Sequence, residues 1–474
     1  MRVLLIAPLT EQFCGIQDYG APTLGVHRIA SFVRARGHQV EVYDCNLHAP
    51  EQLDALLGRP WDIIGISILA DTLRLTLEMF IRVRREQPNA LLVAGGPEAT
   101  LNYQDIFDLS DADVAVLAEG ERPILEMADG KPLCDIPGVI HRRRAMPVTN
   151  QAMWDYYRDL DWAAMGWPEY WEKNETLGDA KGKNKVVRIV TTTHCNRKGC
   201  SFCSVVRIRE FACGHRVAPA FLDGKHVEAT IERILTQLPE ATHIYFMDDT
   251  FLPVPSRIGE FCDALARFKG RVKFMVQTDT DRVTREVVRR LADAGVVHVS
   301  CGVESCSARL RKIVGKPQNE QRIEDIIGWC KEFGVQCYYL IILFVPESTM
   351  EDLRINYRTL TRWQDEGTVS VSVMPYMIPY RGSNMWYSTH EFAYRTFTLS
   401  NGKVLKQPYM IYPSDPTVRA VMEKFRERSP EYIERMNREQ GHSRQSKNYT
   451  GKVYIQLLGD LLREGGYCQD DPHF

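Results

Sequence analysis

The sequence predicts an α/β protein: a Rossmann-like doubly wound N-terminal domain, a partial (β/α)6 barrel and a small, mainly helical C-terminal region. Five short apolar runs alternate with helical patterns in the N-terminal third, and six strand-and-helix units follow from residue 186. Such alternation is typical of parallel sheets with crossover helices. A chain of 474 residues with 44% hydrophobic content is long enough for two or three packed domains. We place them at residues 1–147, 186–384 and 385–474, with a linker at 148–185.

The N-terminal unit is predicted to form a doubly wound sheet, which binds ligands at its carboxyl edge. Helical patterns cover Leu24–Arg36 and Thr72–Gln87. The first strand is not followed by Gly-x-Gly-x-x-Gly, which disfavours a nicotinamide or flavin dinucleotide. The five strands are predicted at Val3–Ala7, Gln39–Tyr43, Asp62–Ser67, Ala90–Ala94 and Val114–Leu117.

Small and polar residues follow three of these strands at the predicted ligand edge. Glycines there let a bulky planar ligand approach the backbone closely. The candidate binding residues are Ser67 and Thr72 after the third strand, Gly95 and Gly96 after the fourth, and Gly120 and Glu121 after the fifth.

The linker contains half of the chain's eight tryptophans, Trp154, Trp162, Trp167 and Trp171. So many aromatic residues argue against a loose tether. We expect them to anchor the linker between the domains; the alternative is that some of them cover the active site.

The second unit is predicted to be an open partial barrel, because six βα units are too few for a closed eight-stranded barrel. Chemistry in such folds lies at the carboxyl ends of the strands. The strands are predicted at Val186–Thr192, His243–Met247, Val272–Val276, Val296–Cys301, Val335–Phe344 and Val369–Met374, with helices at Val227–Leu238, Arg257–Phe268, Thr284–Ala294, Glu320–Phe333 and Met350–Trp363.

Three cysteines follow the first barrel strand in the run Thr-His-Cys-Asn-Arg-Lys-Gly-Cys-Ser-Phe-Cys. Such a group indicates a metal site at Cys195, Cys200 and Cys203. Three thiolates can hold three irons of a [4Fe–4S] cluster and leave the fourth iron open. A zinc site is the alternative, its fourth ligand drawn from His194, Cys213 or His215, although the chain has no second Cys-x2-Cys pair. Inert buried thiols are a third possibility.

The cysteine run resembles that of the radical S-adenosylmethionine (SAM) enzymes, with Phe202 as the aromatic residue before the last cysteine. The family pattern is Cys-x3-Cys-x2-Cys, and this chain has one extra residue in the first gap, which Gly199 could absorb. The resemblance implies a [4Fe–4S] cluster that cleaves SAM reductively. It also implies a low-potential electron donor of the flavodoxin or ferredoxin type.

Residues at successive strand ends resemble the SAM-binding residues of the same family. The resemblance implies SAM contacts from Phe202, Asp248, Asp249, Gln277 and Glu304. Asp248 and Asp249 would help to hold the SAM amino group, a cation that needs an anionic or carbonyl partner. Glu304 would reach the ribose or the amino end. Each motif alone is equally typical of a helix cap or turn, and no catalytic residue is predicted beyond the cluster ligands.

Residues 1–130 resemble the cobalamin-binding domain that precedes many radical SAM domains, in the order and spacing of all five elements. Many such domains carry Asp-x-His-x-x-Gly after the first strand, but the segment from Pro8 to Thr23 contains no histidine. His48 is expected to be only a loop residue. The resemblance therefore implies cobalamin without a histidine lower ligand, bound by the six strand-end residues named above.

The C-terminal region is predicted to hold three short helices and carries no motif that identifies a substrate. The helices are predicted at Thr417–Glu427, Pro430–Arg438 and Tyr454–Arg463.

Both resemblances together imply a cobalamin-dependent radical SAM methyltransferase. Its substrate would be an unactivated carbon, or phosphorus, of a small molecule or peptide. Three alternatives remain: cyclisation or rearrangement with the same cofactors, a radical SAM enzyme without cobalamin, and a zinc-stabilised binding protein without turnover. A methylthiotransferase is disfavoured, because Cys14, Cys45 and Cys134 do not fall at the strand ends that its second cluster needs.

Composition and charge bear on the partners and the location of the chain. The formal net charge is −2 with acids and bases mixed, so no nucleic-acid or membrane partner is indicated. No apolar run approaches the length of a membrane span, and the first residues predict a strand rather than a signal peptide. Thirteen cysteines without a secretory signal favour a reducing, cytoplasmic location.

Overall fold

The structure of the chain, a computed structural model, describes most of the sequence. The described residues are 1–9, 21–141, 144–145, 154–176, 184–197, 199–252, 254–367, 369–439 and 447–467. Cys14 and the linker stretches 148–153 and 177–183 therefore lie outside the described residues. Among those that are described, no helix has the length and hydrophobicity needed to cross a bilayer.

The N-terminal domain is built on a seven-stranded sheet in the order β2-β1-β3-β4-β5-β6-β7. The five predicted strands are confirmed and are parallel, whereas β6 and β7 add an antiparallel extension that was not predicted. The strands are β1 Arg2–Ala7, β2 Gln39–Asp44, β3 Ile63–Ser67, β4 Leu91–Gly95, β5 Val114–Val116, β6 Val139–His141 and β7 Arg144–Ala145. The helices are α1 Leu24–Arg34, α2 Pro50–Leu57, α3 Leu73–Glu86, α4 Pro97–Leu109 and α5 Glu121–Ala128.

Both faces of this sheet are covered by helices. Along β1, Val3 and Leu5 belong to the core on one face, while Leu4 and Ile6 belong to the core on the other. A parallel strand that is buried on both faces is apolar throughout rather than alternating. That is why the strands could be found as short apolar runs.

The linker packs against both domains. It contains α6 Trp154–Tyr157 and α7 Trp167–Thr176. Trp162 and Trp167 are fully buried in the core of the barrel domain. The hydroxyl of Tyr170 donates to Asp44 Oδ2 at the end of β2, at 2.7 Å. These contacts fit an anchoring role for the linker.

The barrel domain has six parallel strands in the consecutive order β13-β12-β11-β10-β9-β8. Among the described residues, the end strands β8 and β13 pair only with β9 and β12, so the predicted open barrel is confirmed. The strands are β8 Val186–Ile189, β9 His243–Phe246, β10 Lys273–Thr278, β11 Val296–Glu304, β12 Gln336–Phe344 and β13 Val369–Tyr376. The helices are α8 Val205–Cys213, α9 Gly224–Gln237, α10 Arg257–Ala266, α11 Arg285–Asp293, α12 Ala308–Ile313, α13 Glu320–Glu332 and α14 Met350–Asp365.

The C-terminal region contains an antiparallel hairpin that was not predicted, with β14 Phe392–Thr398 and β15 Val404–Ile411. Leu399 and Leu405 of this hairpin lie in the core of the N-terminal domain. Two long helices follow, α15 Pro416–Glu439 and α16 Lys447–Glu464. The predicted break before Pro430 was wrong, because α15 continues through that proline. The hairpin therefore ties the C-terminal region to the N-terminal domain.

Candidate active site

The three predicted cluster ligands lie on one loop at the carboxyl end of the first barrel strand. We call residues 195–203 the cysteine loop; it lies between the end of β8 and the start of α8. Burial, followed by the charges of Asp249, Cys200 and Cys195, raises the pKa of the Cys203 thiol to about 12. The backbone N–H of Arg197 donates to Cys195 Sγ at 3.2 Å. All three thiols are thus carried by one short loop.

The cysteine loop docks on the segment that follows α12. Ser201 N–H donates to the Val314 carbonyl at 3.1 Å, and the Ser201 carbonyl accepts from Met385 N–H at 2.9 Å. Gly199 takes a left-handed φ of 102°, which suits a residue that absorbs the longer first gap. Gly315 approaches so closely that a Cβ there would lie 1.6 Å from the Gly199 carbonyl oxygen. Gly315 is therefore required for the docking.

Replacing Gly315 with alanine is expected to displace the cysteine loop and reduce iron incorporation. Its left-handed φ of 80° adds a strain of about 1–2 kcal/mol to the collision with Gly199. The matched control is Gly334→Ala, at a φ of 68° with no atom within 4 Å of the added Cβ. Iron content after anaerobic reconstitution should fall only for Gly315→Ala, while melting temperatures fall for both. Equal iron content in the two variants would contradict the docking contact.

Arg197, which lies between Cys195 and Cys200, connects the cysteine loop to the segment that follows β10. Its guanidinium donates to Asp279, just after β10, and to Asp281 Oδ2 at 2.6 Å. The Arg197 side chain is 14% exposed. Sequence reasoning missed this contact, because nothing in the sequence pairs Arg197 with a carboxylate more than eighty residues away.

Asp248 is a buried structural group. Its Oδ1 accepts from the backbone N–H groups of Thr191 and Thr192 at 2.5 and 2.7 Å, and its Oδ2 accepts from Thr191 Oγ1 at 2.6 Å. Arg257, also buried, donates to Thr191 Oγ1 at 2.8 Å. Both carboxylate oxygens are thus engaged with the chain between β8 and the cysteine loop. The structure places Asp248 behind the loop rather than at an open surface.

Asp249 is the second carboxylate after the second barrel strand. Its side chain is exposed, and, after burial as the larger cause, its charge contributes to the raised pKa values of Cys195 and Cys203. Poor solvation, followed by the charge of Asp248, raises the pKa of Asp249 to about 6. Asp249 therefore suits the predicted contact with a ligand cation better than Asp248 does.

The Asp249→Asn variant is expected to be more stable than the native chain at pH 8. A carboxyl pKa raised to about 6 in the folded state means that the folded protein binds the proton more tightly than the unfolded one. The charged carboxylate is therefore destabilising above pH 6, by about 0.5–1 kcal/mol after allowance for solvent screening. The difference in melting temperature should shrink as pH falls towards about 4. Exposed Asp263→Asn is the control; a difference that grows on acidification would contradict the prediction.

Glu304 is paired with a lysine that sequence reasoning missed. After an irregularity in the β11–β12 pairing, Glu304 has a left-handed φ of 69°. Lys316 Nζ donates to Glu304 Oε1 at 2.6 Å and to the Gly302 carbonyl at 3.3 Å. A Cβ on Gly302 would lie within 2.5 Å of both charged groups, so glycine makes room for the pair. Burial lowers the pKa of Lys316, but Glu304, Asp279 and Cys200 outweigh it and raise that pKa overall.

Gln277 belongs to a polar network inside the barrel. Phe246 packs in the core beneath the helices, so the alternating side chain of Tyr245 points into the lumen. The Tyr245 hydroxyl donates to Gln277 Oε1 at 3.2 Å and lies 3.4 Å from Ser300 Oγ. Ser300 Oγ is also 2.7 Å from His298 Nε2. The lumen thus offers hydrogen-bonding groups. Phe202, by contrast, packs against an apolar cluster beside the cysteine loop.

The carboxyl edge of the N-terminal sheet offers room for a flat ligand. Ser67 and Gly95 lie side by side in β3 and β4. A Cβ on Gly95 would meet nothing nearer than a carbonyl oxygen at 4.0 Å, whereas one on Gly96 would lie 2.6 Å from the Ile68 carbonyl oxygen. Leu69 is 39% exposed beside them. The free space above the Gly95 backbone and the exposed apolar side chain of Leu69 fit the apolar edge of a corrin ring.

The other three candidates at this edge make contacts within the protein. Thr72 is buried, and its hydroxyl hydrogen-bonds within its own turn. A Cβ on Gly120 would lie 2.6 Å from Ile29 Cδ1. Glu121 is buried in an ion pair with Arg28 at 2.6 Å. Their predicted cobalamin contacts remain predictions.

The carboxyl edge of the N-terminal sheet contacts the helix that follows the cysteine loop. Glu119, just after β5, forms a two-pronged ion pair with Arg209 of α8, with one contact at 2.6 Å. The ring centroids of Tyr103 in α4 and Phe211 in α8 are 6.2 Å apart. Because α8 directly follows the cysteine loop, these contacts bring the N-terminal ligand edge beside the cysteines.

The donor set of the cysteine loop fits an iron–sulfur cluster held by three thiolates. Of the candidates for a fourth zinc ligand, His194 hydrogen-bonds through both ring nitrogens, to Thr193 Oγ1 at 2.9 Å and the Val217 carbonyl at 3.3 Å. Cys213 is buried at the end of α8. Within the described part of the chain, no group of three His, Cys, Asp or Glu side chains is arranged to hold a single metal ion.

Comparison with known proteins identifies both domains. A model of the radical SAM superfamily matches residues 189–360, and a model of the B12-binding domain matches residues 18–128. These are the two domains that the resemblance predicted, and they confirm the predicted fold class and the cofactors that such domains bind.

Three similar proteins illustrate the match. An uncharacterised methyltransferase of Pyrococcus horikoshii is 22% identical over 397 residues, which cover 81% of this chain and 82% of the relative. The anaerobic magnesium-protoporphyrin IX monomethyl ester cyclase of Cereibacter sphaeroides is 24% identical over 319 residues, covering 64% of this chain and 48% of the relative. The solved structure of the radical SAM methyltransferase TsrM from Kitasatospora setae, with cobalamin and a [4Fe–4S] cluster, has a TM-score of 0.65 at 13% identity. That match covers 97% of this chain and 88% of TsrM and shows a shared fold.

Proposed function

We propose that this chain, which belongs to the radical SAM enzymes that carry a cobalamin-binding domain, methylates an unactivated carbon, or phosphorus, of a small-molecule or peptide substrate. The observation that supports this most directly is the Glu119–Arg209 contact, which sets the N-terminal ligand edge against the helix that follows the cysteine loop. A methyl donor and a radical generator need such adjacency. The relative from Pyrococcus horikoshii and TsrM are both named methyltransferases.

The proposed SAM site consists of the three thiols of the cysteine loop and the exposed carboxylate of Asp249. Cys195, Cys200 and Cys203 would hold a [4Fe–4S] cluster, which would supply the electron for reductive cleavage of SAM. Asp249 offers its carboxylate to the SAM amino group, and a bound cation would lower its raised pKa. Asp248 fixes the chain that leads into the cysteine loop. Its role is to position the loop, because both of its oxygens are already engaged.

The polar lumen is the proposed place for the substrate. Tyr245, Gln277, Ser300 and His298 are joined by hydrogen bonds, and a substrate with polar groups can exchange for some of them. Ser300 and His298 are buried, so little water reaches this part of the lumen, which would protect a radical from side reactions. Methylcobalamin at the edge of Ser67 and Gly95 would supply the methyl group. A low-potential flavodoxin or ferredoxin is the proposed electron donor.

The test begins with the full chain, purified and reconstituted under anaerobic conditions. Metal analysis should give about four irons and four sulfides with one cobalt per chain, by the composition of one cluster and one corrin. Candidate polar substrates are then incubated with dithionite and SAM that carries a deuterated methyl group. Mass spectrometry should show the labelled methyl group in the product. Stoichiometric zinc without iron would refute the proposal.

Cyclisation or rearrangement with the same two cofactors is the second candidate. The relative from Cereibacter sphaeroides is named a cyclase, although this chain spans only 48% of its length. The same incubation separates the two candidates. A product that lacks the label but has lost hydrogen, or has changed its skeleton, would favour cyclisation or rearrangement over methylation.

A further inference from the structure

Two ion pairs, Lys316 with Glu304 and Arg197 with Asp279, lie at the cysteine loop. A Cβ on Gly315, the residue before Lys316, would lie 3.0 Å from the backbone nitrogen of Cys200, and Arg197 is itself part of the loop.

The Lys316–Glu304 pair is buried to about the same extent as the Arg197–Asp279 pair. Its side chains are only 13% and 9% exposed. Lys316 follows Gly315, whose backbone touches the cysteine loop, and its Nζ lies 6.0 Å from the centroid of the Phe202 ring. Glu304 has a left-handed backbone conformation at the end of β11. Because little water reaches the pair, its charges are poorly screened at the cysteine loop.

We infer that Lys316 is a positioning residue whose charge cancels that of Glu304 beside Cys200 and thereby sets how readily the cluster accepts an electron. One-electron reduction, supplied here by dithionite or titanium(III) citrate, adds one negative charge to a cluster held by three thiolates. A bare carboxylate beside Cys200 would oppose that charge, and a bare ammonium group would favour it. The inference concerns the cluster alone and does not depend on which group the enzyme transfers.

The test is a redox titration of the reconstituted full chain without SAM, followed by electron paramagnetic resonance of the reduced cluster. Lys316→Met leaves Glu304 uncompensated and should make reduction about tenfold less favourable at a fixed solution potential. That corresponds to a midpoint potential lower by about 60 mV for a one-electron couple. Glu304→Gln should shift the potential in the opposite direction, and the double variant should return close to the native value.

Two controls separate charge from structure. Lys312→Met removes the same charge from an exposed position on α12 and should leave the potential unchanged. Lys316→Arg keeps the cation and should stay near the native potential. If Lys316→Met and Glu304→Gln shifted the midpoint potential in the same direction, the inference would be overturned. An effect of charge must have opposite signs in the two variants, whereas a structural disturbance need not. If Lys316→Met holds no cluster, Glu304→Gln decides alone: an upward shift supports the inference, and no shift or a downward one refutes it.

Discussion

Replacing Cys200 with alanine is expected to abolish SAM cleavage while leaving the fold and corrin binding intact. Cys200 is one of three thiols on the cysteine loop, and two thiolates cannot hold a cluster that needs three. Removal of an outer-shell partner of a metal ligand already costs about 10- to 100-fold in affinity or activity, so loss of a ligand should cost more than a hundredfold. Iron content and the yield of 5′-deoxyadenosine from SAM measure the effect.

The fold should survive because Cys200 is only partly buried, outside the main barrel core. Corrin uptake, followed by its visible absorption, should match that of the native chain, since Ser67 and Gly95 lie on the other sheet. Cys134→Ala, which removes an exposed thiol of the N-terminal domain, is the matched control and should cleave SAM normally. Loss of both iron and corrin in Cys200→Ala would point to misfolding, and retained SAM cleavage would refute the cluster assignment.

Much of the fold could be predicted because its strands are buried on one or both faces and its helices are amphipathic. In β12, for example, Cys337 and Tyr339 pack in the core, and the predicted strand Val335–Phe344 agrees with the observed Gln336–Phe344 to within one residue. The hairpin of β14 and β15 was missed because its outer residues, such as Tyr394, remain exposed. Its packing depends on the N-terminal domain, which no local pattern reveals.

The candidate site was predictable in its thiols but not in the contacts that hold them. Cys195, Cys200 and Cys203 are adjacent in sequence, so their spacing carried the prediction. Lys316 and Arg197 contact carboxylates that are distant in the chain, and each looks like an ordinary surface cation when read locally. The pair Asp248 and Asp249 shows the same limit. Neighbouring side chains in an extended segment point to opposite sides of the chain. Since both residues are aspartates, the sequence alone does not tell which of the two is buried.

Asp248→Ala is expected to destabilise the barrel strongly, by roughly 3–5 kcal/mol, because it removes one partner from a buried charged network. The backbone N–H groups of Thr191 and Thr192 would lose their acceptor. The buried guanidinium of Arg257 would lose the nearby negative charge. Since Thr191 and Thr192 lead into the cysteine loop, iron incorporation should fall as well. Thermal unfolding can be followed by the fluorescence of the buried Trp162 and Trp167, both in the barrel core.

The matched control is the adjacent carboxylate, changed in the same way. Asp249→Ala removes an exposed group for which the structure shows no hydrogen bond among the described residues, and it removes the destabilising charge as well, so it should not lower stability at pH 8. It should nevertheless weaken SAM binding, measured by calorimetry on the reconstituted chain. The two variants are thus expected to separate stability from binding at neighbouring positions. Equal destabilisation by both changes would contradict the structural role of Asp248. A stable Asp248→Ala variant together with intact SAM binding in Asp249→Ala would contradict both assignments.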